Sequence, residues 1–315
     1  MNEVSSLTGK NKKRKNVQYV GHFEHIFKCP ICDSPMEAYE FKSLICSHNH
    51  TFDFAKHGYL QQYVRSACNL MNHPIKTKYN KELFEARKKL MVDDKFFEPL
   101  SQTIVHAINK EIDVKKENLS ILDMGCGEGS HLSTVCNILS SYKDKDVIGV
   151  GIDISKEGIL VASRSYSHKV WVVADLANTP FKDKQFNVIL NILSPSNYGE
   201  FNRLLKDDGV IIKVVPQKGY LKELREAFFS EAEKQSYSNE ETVERFKESF
   251  NLLGRLSLDY KVILNKPSIQ SLLRMTPLTW AVKKDKMNSF MEKDVYHITV
   301  DLEVLIGTKK MKKLK

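Results

Sequence analysis

Two groups of residues in this 315-residue chain have types and spacings that could do chemistry. The first runs Ile121-Leu122-Asp123-Met124-Gly125-Cys126-Gly127-Glu128-Gly129-Ser130. Leu119 to Leu122 predict a short buried strand, and Leu132 to Leu139 a helix. Glycines between a strand and a helix allow a tight bend and a close backbone approach to a ligand. The helix start behind them presents its positive end to that ligand. The spacing is G-x-G-x-G, with Ser130 and His131 where the dinucleotide fingerprint needs its third glycine. An acid at Asp123, just ahead of the turn, suits a cationic ligand group. The second group is Cys29-Pro30-Ile31-Cys32 followed by Cys46-Ser47-His48-Asn49-His50. Two thiolates on a tight knuckle plus a second Cys/His pair can close a tetrahedron around zinc. By spacing, His48 and His50 are both in reach as the fourth ligand. A closed four-ligand site is structural, and in so small a segment the metal would supply much of the folding energy.

With Asp123 included, the glycine stretch resembles the first motif of S-adenosylmethionine (SAM) methyltransferases. The elements behind it fit that pattern. Val147 to Asp153 is an unbroken apolar strand ended by an acid, as buried parallel strands read. Asp153 stands 24 residues after Gly129 and could take both ribose hydroxyls of a nucleoside. Val170 to Ala174 is a third strand with Asp175 at its tip, where an acid can accept from an adenine amino group or simply cap a turn. Phe186 to Leu193 is a fourth, opening into Ser194-Pro195-Ser196-Asn197, and Gly209 to Val215 a fifth. All these tips fall on one edge, where open parallel sheets bind ligands.

Composition bounds the function. Lys and Arg total 48 against 39 Asp and Glu, a net charge of +9, with 42% hydrophobic residues. A basic balance favours polyanionic partners, nucleic acid first, although a lysine-rich solubilising surface gives the same totals. No apolar run of about 18 residues predicts a membrane span, and no apolar leader predicts secretion. Six cysteines in a chain of this length are not a disulfide scaffold, and three of them cluster as a metal site does. Cys68, Cys126 and Cys136 read as packing residues.

The expected organisation is a disordered basic tail over 1–22, a zinc-binding domain over 23–60, and a linker with two helices over 61–112. A methyltransferase domain over 113–308 and a basic tail over 309–315 follow. Helices are predicted near 81–91, 97–111, 156–164, 267–275 and 283–293, with a charged helical stretch over 220–250. Strands are predicted at 260–264 and 296–306. The fold class is α/β, a Rossmann-like, doubly wound sheet of seven strands of the class I SAM-dependent methyltransferase type, with a small N-terminal zinc-ribbon-like domain.

With both motifs placed, residues 27 to 306 resemble the bacterial large-subunit (23S) ribosomal RNA guanine-N1-methyltransferases. The resemblance rests on Cys29-Pro30-Ile31-Cys32, Cys46-x-x-x-His50, Phe52-Asp53-x-Ala55-Lys56-x-Gly58-Tyr59 and Phe84-Glu85-Ala86-Arg87. It continues through Leu122 to Gly129, Gly151 to Lys156, the Ser194-Pro195 loop, and Gln270-x-x-x-Arg274-Met275-Thr276-Pro277-x-x-Trp280. It implies Cys29, Cys32, Cys46 and His50 as ligands of a structural zinc. It implies SAM contacts at Gly127 and Glu128, and, by looser alignment, at Phe97 and Tyr220. It implies a cleft for a ribosomal RNA hairpin between the two modules, a cytoplasmic location and homodimerisation.

Guanine N1 carries a proton in the neutral base, so transfer requires its removal as N1 attacks the sulfonium methyl in line. Positioning would be the main contribution of the protein, with a proton acceptor beside it. N1 lies on the pairing edge, so the target must be in a loop or flipped out. Asn191, Ser194 and Pro195 stand where a base would meet the methyl, and the sequence shows no clear general base. Trp280 and Arg274 could stack on or clamp RNA. Rival readings are a SAM methyltransferase of another RNA or a small molecule, and a non-catalytic zinc-containing RNA-binding protein. The intact Asp123, glycine turn and Asp153 argue against the last.

Overall fold

Apolar strands without alternation must be covered on both faces, and in the computed structural model they are. The structure describes residues 17–61, 79–112, 118–142, 146–229 and 238–310. Four short strands come first: β1 (Met36–Tyr39), β2 (Ser43–Cys46), β3 (Thr51–Asp53) and β4 (Leu60–Gln61). The first three form an antiparallel sheet of their own. Helices α1 (Lys81–Val92) and α2 (Glu98–Glu111) follow. The alternating part of the chain then runs β5 (Leu119–Met124), α3 (Ser130–Ser141), β6 (Val147–Asp153), α4 (Lys156–Ser165), β7 (Val170–Val173), β8 (Phe186–Ile192), α5 (Tyr198–Leu204) and β9 (Leu205–Pro216). It ends with α6 (Lys222–Phe228), α7 (Glu240–Ser249), β10 (Phe250–Asn265), α8 (Lys266–Met275), α9 (Lys284–Phe290) and β11 (Val295–Lys309).

The main sheet has the order β10-β11-β9-β8-β5-β6-β7-β4. β9, β8, β5, β6, β7 and β4 are mutually parallel, and β11 lies antiparallel between β9 and β10. The chain reverses its winding direction at β5, so the loops after β5 and β8 open at the switch point where such sheets bind ligands. Side-chain caps start several helices: Asn80, Ser155, Asn197 and Asn265 accept from the backbone N–H of Leu83, Gly158, Glu200 and Ser268. Among the described residues no helix is long and apolar enough to cross a membrane.

Three expectations from sequence need correction. The main sheet has eight strands, not seven, because Leu60 and Gln61 pair with Val172 and Val173 of β7. The sixth predicted strand begins at Phe250, ten residues before the predicted start, and runs to Asn265. Its half-buried face, including Leu256, Leu258, Tyr260 and Val262, alternates with exposed Arg255, Ser257, Asp259 and Lys261, as on an edge strand with one covered face. The charged stretch preceding it had masked that period. Part of the predicted N-terminal tail is ordered: 17–21 is helical, with Val17 and Val20 buried. Residues 1–16, 62–78 and 311–315, which hold most of the basic tails, Cys68 and most of the expected hinge, lie outside the described residues.

The cysteine module is packed onto the main sheet. Phe27 bridges Phe181, with ring centroids 5.3 Å apart. Lys28 N–H donates to Pro180 O at 2.9 Å and Lys182 N–H to Ile26 O at 2.8 Å. Phe27, Leu44, Phe52 and Phe54 share one buried cluster with Leu122, Val150, Val172 and Ile189 of the sheet. The two modules therefore have a common core on one face of the sheet.

Candidate active site and metal centre

β5 ends in the glycine turn. Gly125, Gly127 and Gly129 have φ of 85°, 56° and 82°, in the left-handed region that glycine enters at no steric cost. A Cβ on Gly125 would collide with the side chain of Ser194, and one on Gly129 with the indole of Trp171. The first glycine thus admits the loop after β8, and the third admits the Trp171 indole of β7. Asp153, at the tip of β6, accepts from Gly127 N–H (2.8 Å) and Ser155 N–H (2.8 Å). The acid at the second strand tip therefore holds the turn that follows the first.

Charge is concentrated here. Asp123 and Glu128 are buried, and Arg87 reaches in from α1 to place Nε 3.1 Å from Glu128 Oε1. Glu128 Oε2 accepts from Ser130 N–H at 3.0 Å. Asp123 Oδ1 is buried with no hydrogen-bond partner. Burial pushes the Asp123 carboxyl up to about 8; Arg87 opposes that rise, while Glu128 and Asp153 add to it. Burial also raises Glu128 and Asp153, against Arg87 in the first case and the Ser155 and Gly127 amides in the second. His131, on the first turn of α3, is buried with both ring nitrogens unpartnered, and burial holds it well below its usual value, hence neutral. One guanidinium thus serves three carboxylates, with an unpartnered buried oxygen among them. That arrangement fits a ligand bearing a positive group, as the methionine ammonium of SAM does.

The loop after β8 is braced from beneath. Asn191 is fully buried. Its Nδ2 donates to Met124 O (3.1 Å) and Pro195 O (3.0 Å), and its Oδ1 accepts from Lys213 Nζ (2.7 Å) and Ser196 Oγ (3.1 Å). These occupy all four hydrogen-bonding capacities of the amide. The expectation that Asn191 touches substrate is therefore corrected: its side chain is committed to the loop itself. Ser194 and Pro195 lie on that loop, over Gly125. Leu193 enters it at φ 52°, a conformation that costs a non-glycine residue energy.

The other expected positions divide. Asp175 is half-buried at the end of β7 and its Oδ1 accepts from Ala177 N–H at 2.8 Å, a turn cap. Phe97 is buried, edge-on to Phe96 at 4.9 Å and 5.3 Å from His131. Burial raises the Tyr220 hydroxyl to about 12, with Arg87 opposing. Phe97 thus touches the charged cluster through His131, and Tyr220 lies near enough to Arg87 to be influenced by its charge. Cys126 and Cys136 are buried packing residues. Trp280 is half-buried against Tyr79 at 5.1 Å, and Arg274 is exposed.

In the small module the ligand atoms of Cys29, Cys32, Cys46 and His50 all lie within 4.8 Å of one another. His50 Nδ1 is 3.4 Å from Cys29 Sγ and 3.5 Å from Cys46 Sγ, and Cys32 Sγ is 3.7 Å from Cys46 Sγ. A tetrahedron with Zn–S of about 2.3 Å and Zn–N of about 2.0–2.1 Å has edges of about 3.5–3.8 Å, so these atoms fit the ion. His48 Nδ1 approaches Cys32 Sγ at 3.5 Å but also lies 3.1 Å from Ser34 Oγ, at the outer edge of the group.

The family profile described as "RlmA, N-terminal" matches residues 27–62, and one described as "Methyltransferase domain" matches 121–209. The chain is 46% identical over 285 residues to the Bacillus subtilis protein named "Putative 23S rRNA (guanine-N(1)-)-methyltransferase YxjB", covering 90% of this chain and 97% of that one. The chain belongs to the 23S rRNA guanine-N1-methyltransferase family. It is also 25% identical over 261 residues to the 23S rRNA (guanine(748)-N(1))-methyltransferase of Streptomyces fradiae, covering 82% of this chain and 88% of that one.

For a member of this methyltransferase family, the sequence left three side chains of the site unassigned. In the sequence Arg87 stands only within the Phe84-Glu85-Ala86-Arg87 motif, and its pairing with Glu128, 41 residues on, is a product of packing. In the sequence His131 marks only a position where the dinucleotide fingerprint would need its third glycine. Lys213 interrupts Val210-Ile211-Ile212 and Val214-Val215 in a strand that is otherwise apolar. A charged residue within a buried strand is the one local signal that could have found it.

Proposed function

We propose that this protein transfers the methyl group of SAM to N1 of a guanine in large-subunit ribosomal RNA, in the cytoplasm. The observation that carries the reading is the near-full-length likeness to a protein named for that activity. The unpartnered buried oxygen of Asp123 beside the glycine turn supports the cofactor.

SAM, when bound, supplies an electrophilic methyl on a sulfonium. The backbone of Gly125, Gly127 and Gly129 admits it closely at the switch point. Asp123 takes the methionine ammonium, and Glu128, paired with Arg87, shapes the same end. Asp153 retains acceptor capacity for the ribose hydroxyls beside its two backbone bonds, and Asp175 has it for the adenine amino group. Phe97 and Tyr220 close the pocket around the amino-acid end. Ser194 and Pro195 line the approach of the target base, and Asn191 braces their loop from behind. Cys29, Cys32, Cys46 and His50 hold a structural zinc that orders the module bearing on RNA.

The test is transfer of tritium from labelled SAM to ribosomal RNA from a strain lacking this protein, with nucleoside analysis. Label in 1-methylguanosine of the large-subunit RNA is the expected result. Label confined to transfer RNA would overturn the substrate, and SAM binding weaker than millimolar would overturn the reaction.

A further inference from the structure

Lys213 sits in the C-terminal part of β9, three residues before its end, opposite Asn191 of β8 on one side and Leu305 of β11 on the other. It is 4% exposed. Its ammonium donates to Asn191 Oδ1 at 2.7 Å and to Ser194 O at 3.4 Å. Among the described residues no carboxylate lies within 4.0 Å of it. Burying a charge without an opposite charge is costly, and an aliphatic residue would suit a central parallel strand better. What the lysine supplies there is a donor to two acceptors, one on the strand and one on the loop. That loop starts in a left-handed residue, Leu193, and lies so close over Gly125 that a methyl group there would strike Ser194. A segment held in an unfavourable conformation persists only where its surroundings over-determine it. Asn191, saturated by four bonds, and Lys213 beneath it are those surroundings.

We propose that Lys213 is a positioning residue for the target base. Through Asn191 and the Ser194 carbonyl, its buried ammonium holds the Ser194-Pro195 loop at the point of methyl transfer. The inference rests on the methyltransferase reading. It concerns where the loop stands, and it leaves the cofactor end of the site to Asp123 and Arg87.

The test uses Lys213→Met, which keeps length and suits the apolar strand. It compares three readouts with the wild type: hydrogen exchange of the peptide spanning 191–199, the SAM Kd by calorimetry, and kcat and KM on ribosomal RNA. The expected result is exchange about tenfold faster in the loop, as for a segment that has lost its local anchoring. SAM Kd stays within about twofold while kcat falls by about 10²-fold, the scale of a misplacement of about 1 Å at reacting atoms. Unchanged exchange or unchanged kcat would overturn the proposal. So would a loss of SAM affinity equal to the loss of rate, which would place the lysine at the cofactor. Should Lys213→Met fail to fold, Asn191→Leu, which removes the brace from its other side, is measured in the same way with the same expected and overturning results. If the wild-type protein methylates no ribosomal RNA, the substrate reading fails, and loop exchange in the variants still decides whether Lys213 anchors the loop.

Discussion

Arg87 Nε lies 3.1 Å from Glu128 Oε1, joining a helix that precedes the alternating strands and helices to the glycine turn at their centre. The Glu128 side chain is fully buried and that of Arg87 is 21% exposed, so water screens the pair little. Removing Arg87 leaves buried Glu128 and Asp123 without their neighbouring cation. Arg87→Met should therefore destabilise the fold by about 3 kcal/mol, in the range for breaking a buried ion pair. Urea unfolding measures this, and Arg87→Met combined with Glu128→Gln should recover part of the loss. A variant as stable as wild type would show that the pair contributes nothing.

Asp123 carries a proton at neutral pH in the free protein, since burial raises its carboxyl to about 8. A cation placed beside it favours the carboxylate and lowers that value. SAM binding at pH 7 should release close to one proton. Calorimetry in two buffers of different ionisation enthalpy reads the release directly. The sign for the fold follows from the same shift. A carboxyl raised above its unfolded value of 3.8 makes the unfolded state the better acid, so this group's contribution lowers stability as pH rises from about 4 to about 8. Equal observed enthalpies in the two buffers would mean that Asp123 does not meet the ammonium.

Asp153 accepts from Gly127 N–H and Ser155 N–H, so it serves the turn as well as the ribose. Asp153→Ala should weaken SAM binding by about 10²-fold or more. It should also lower stability by about 1–3 kcal/mol, because two backbone donors lose their acceptor. Unchanged SAM affinity with lowered stability would assign Asp153 to the turn alone.

The cysteine module shares a core with the sheet through Phe27, Phe181 and their neighbours. Cys29→Ser, or removal of zinc by a strong chelator, should lower a single melting transition of the whole chain and weaken RNA binding with it. Scanning calorimetry separates the alternatives. A small early transition that leaves the main one unmoved would mean that the module unfolds by itself.

The sequence alone determined what short-range spacing can encode. Left-handed turns need residues such as Gly125, Gly127 and Gly129, and buried parallel strands need unbroken apolar runs such as Val147 to Ile152. The knuckle at Cys29 and Cys32 needs its two-residue gap. Each is a property of a few consecutive residues, so each could be read before any packing was known. Tertiary structure decided the rest. Leu60 meets Val172 across 112 residues and adds the eighth strand, which no local period announces. Arg87 becomes the cation of the glycine turn, and the Asn191 side chain is taken up by its own loop and Lys213, because strand order brings β8 and β9 side by side. His50 rather than His48 stands with the three thiols by the set of its loop; spacing left both open, and only the family resemblance had favoured His50. The physical reason is common to all four: the partner of a buried charge or amide is chosen by which elements pack together, and that choice is made by the whole core.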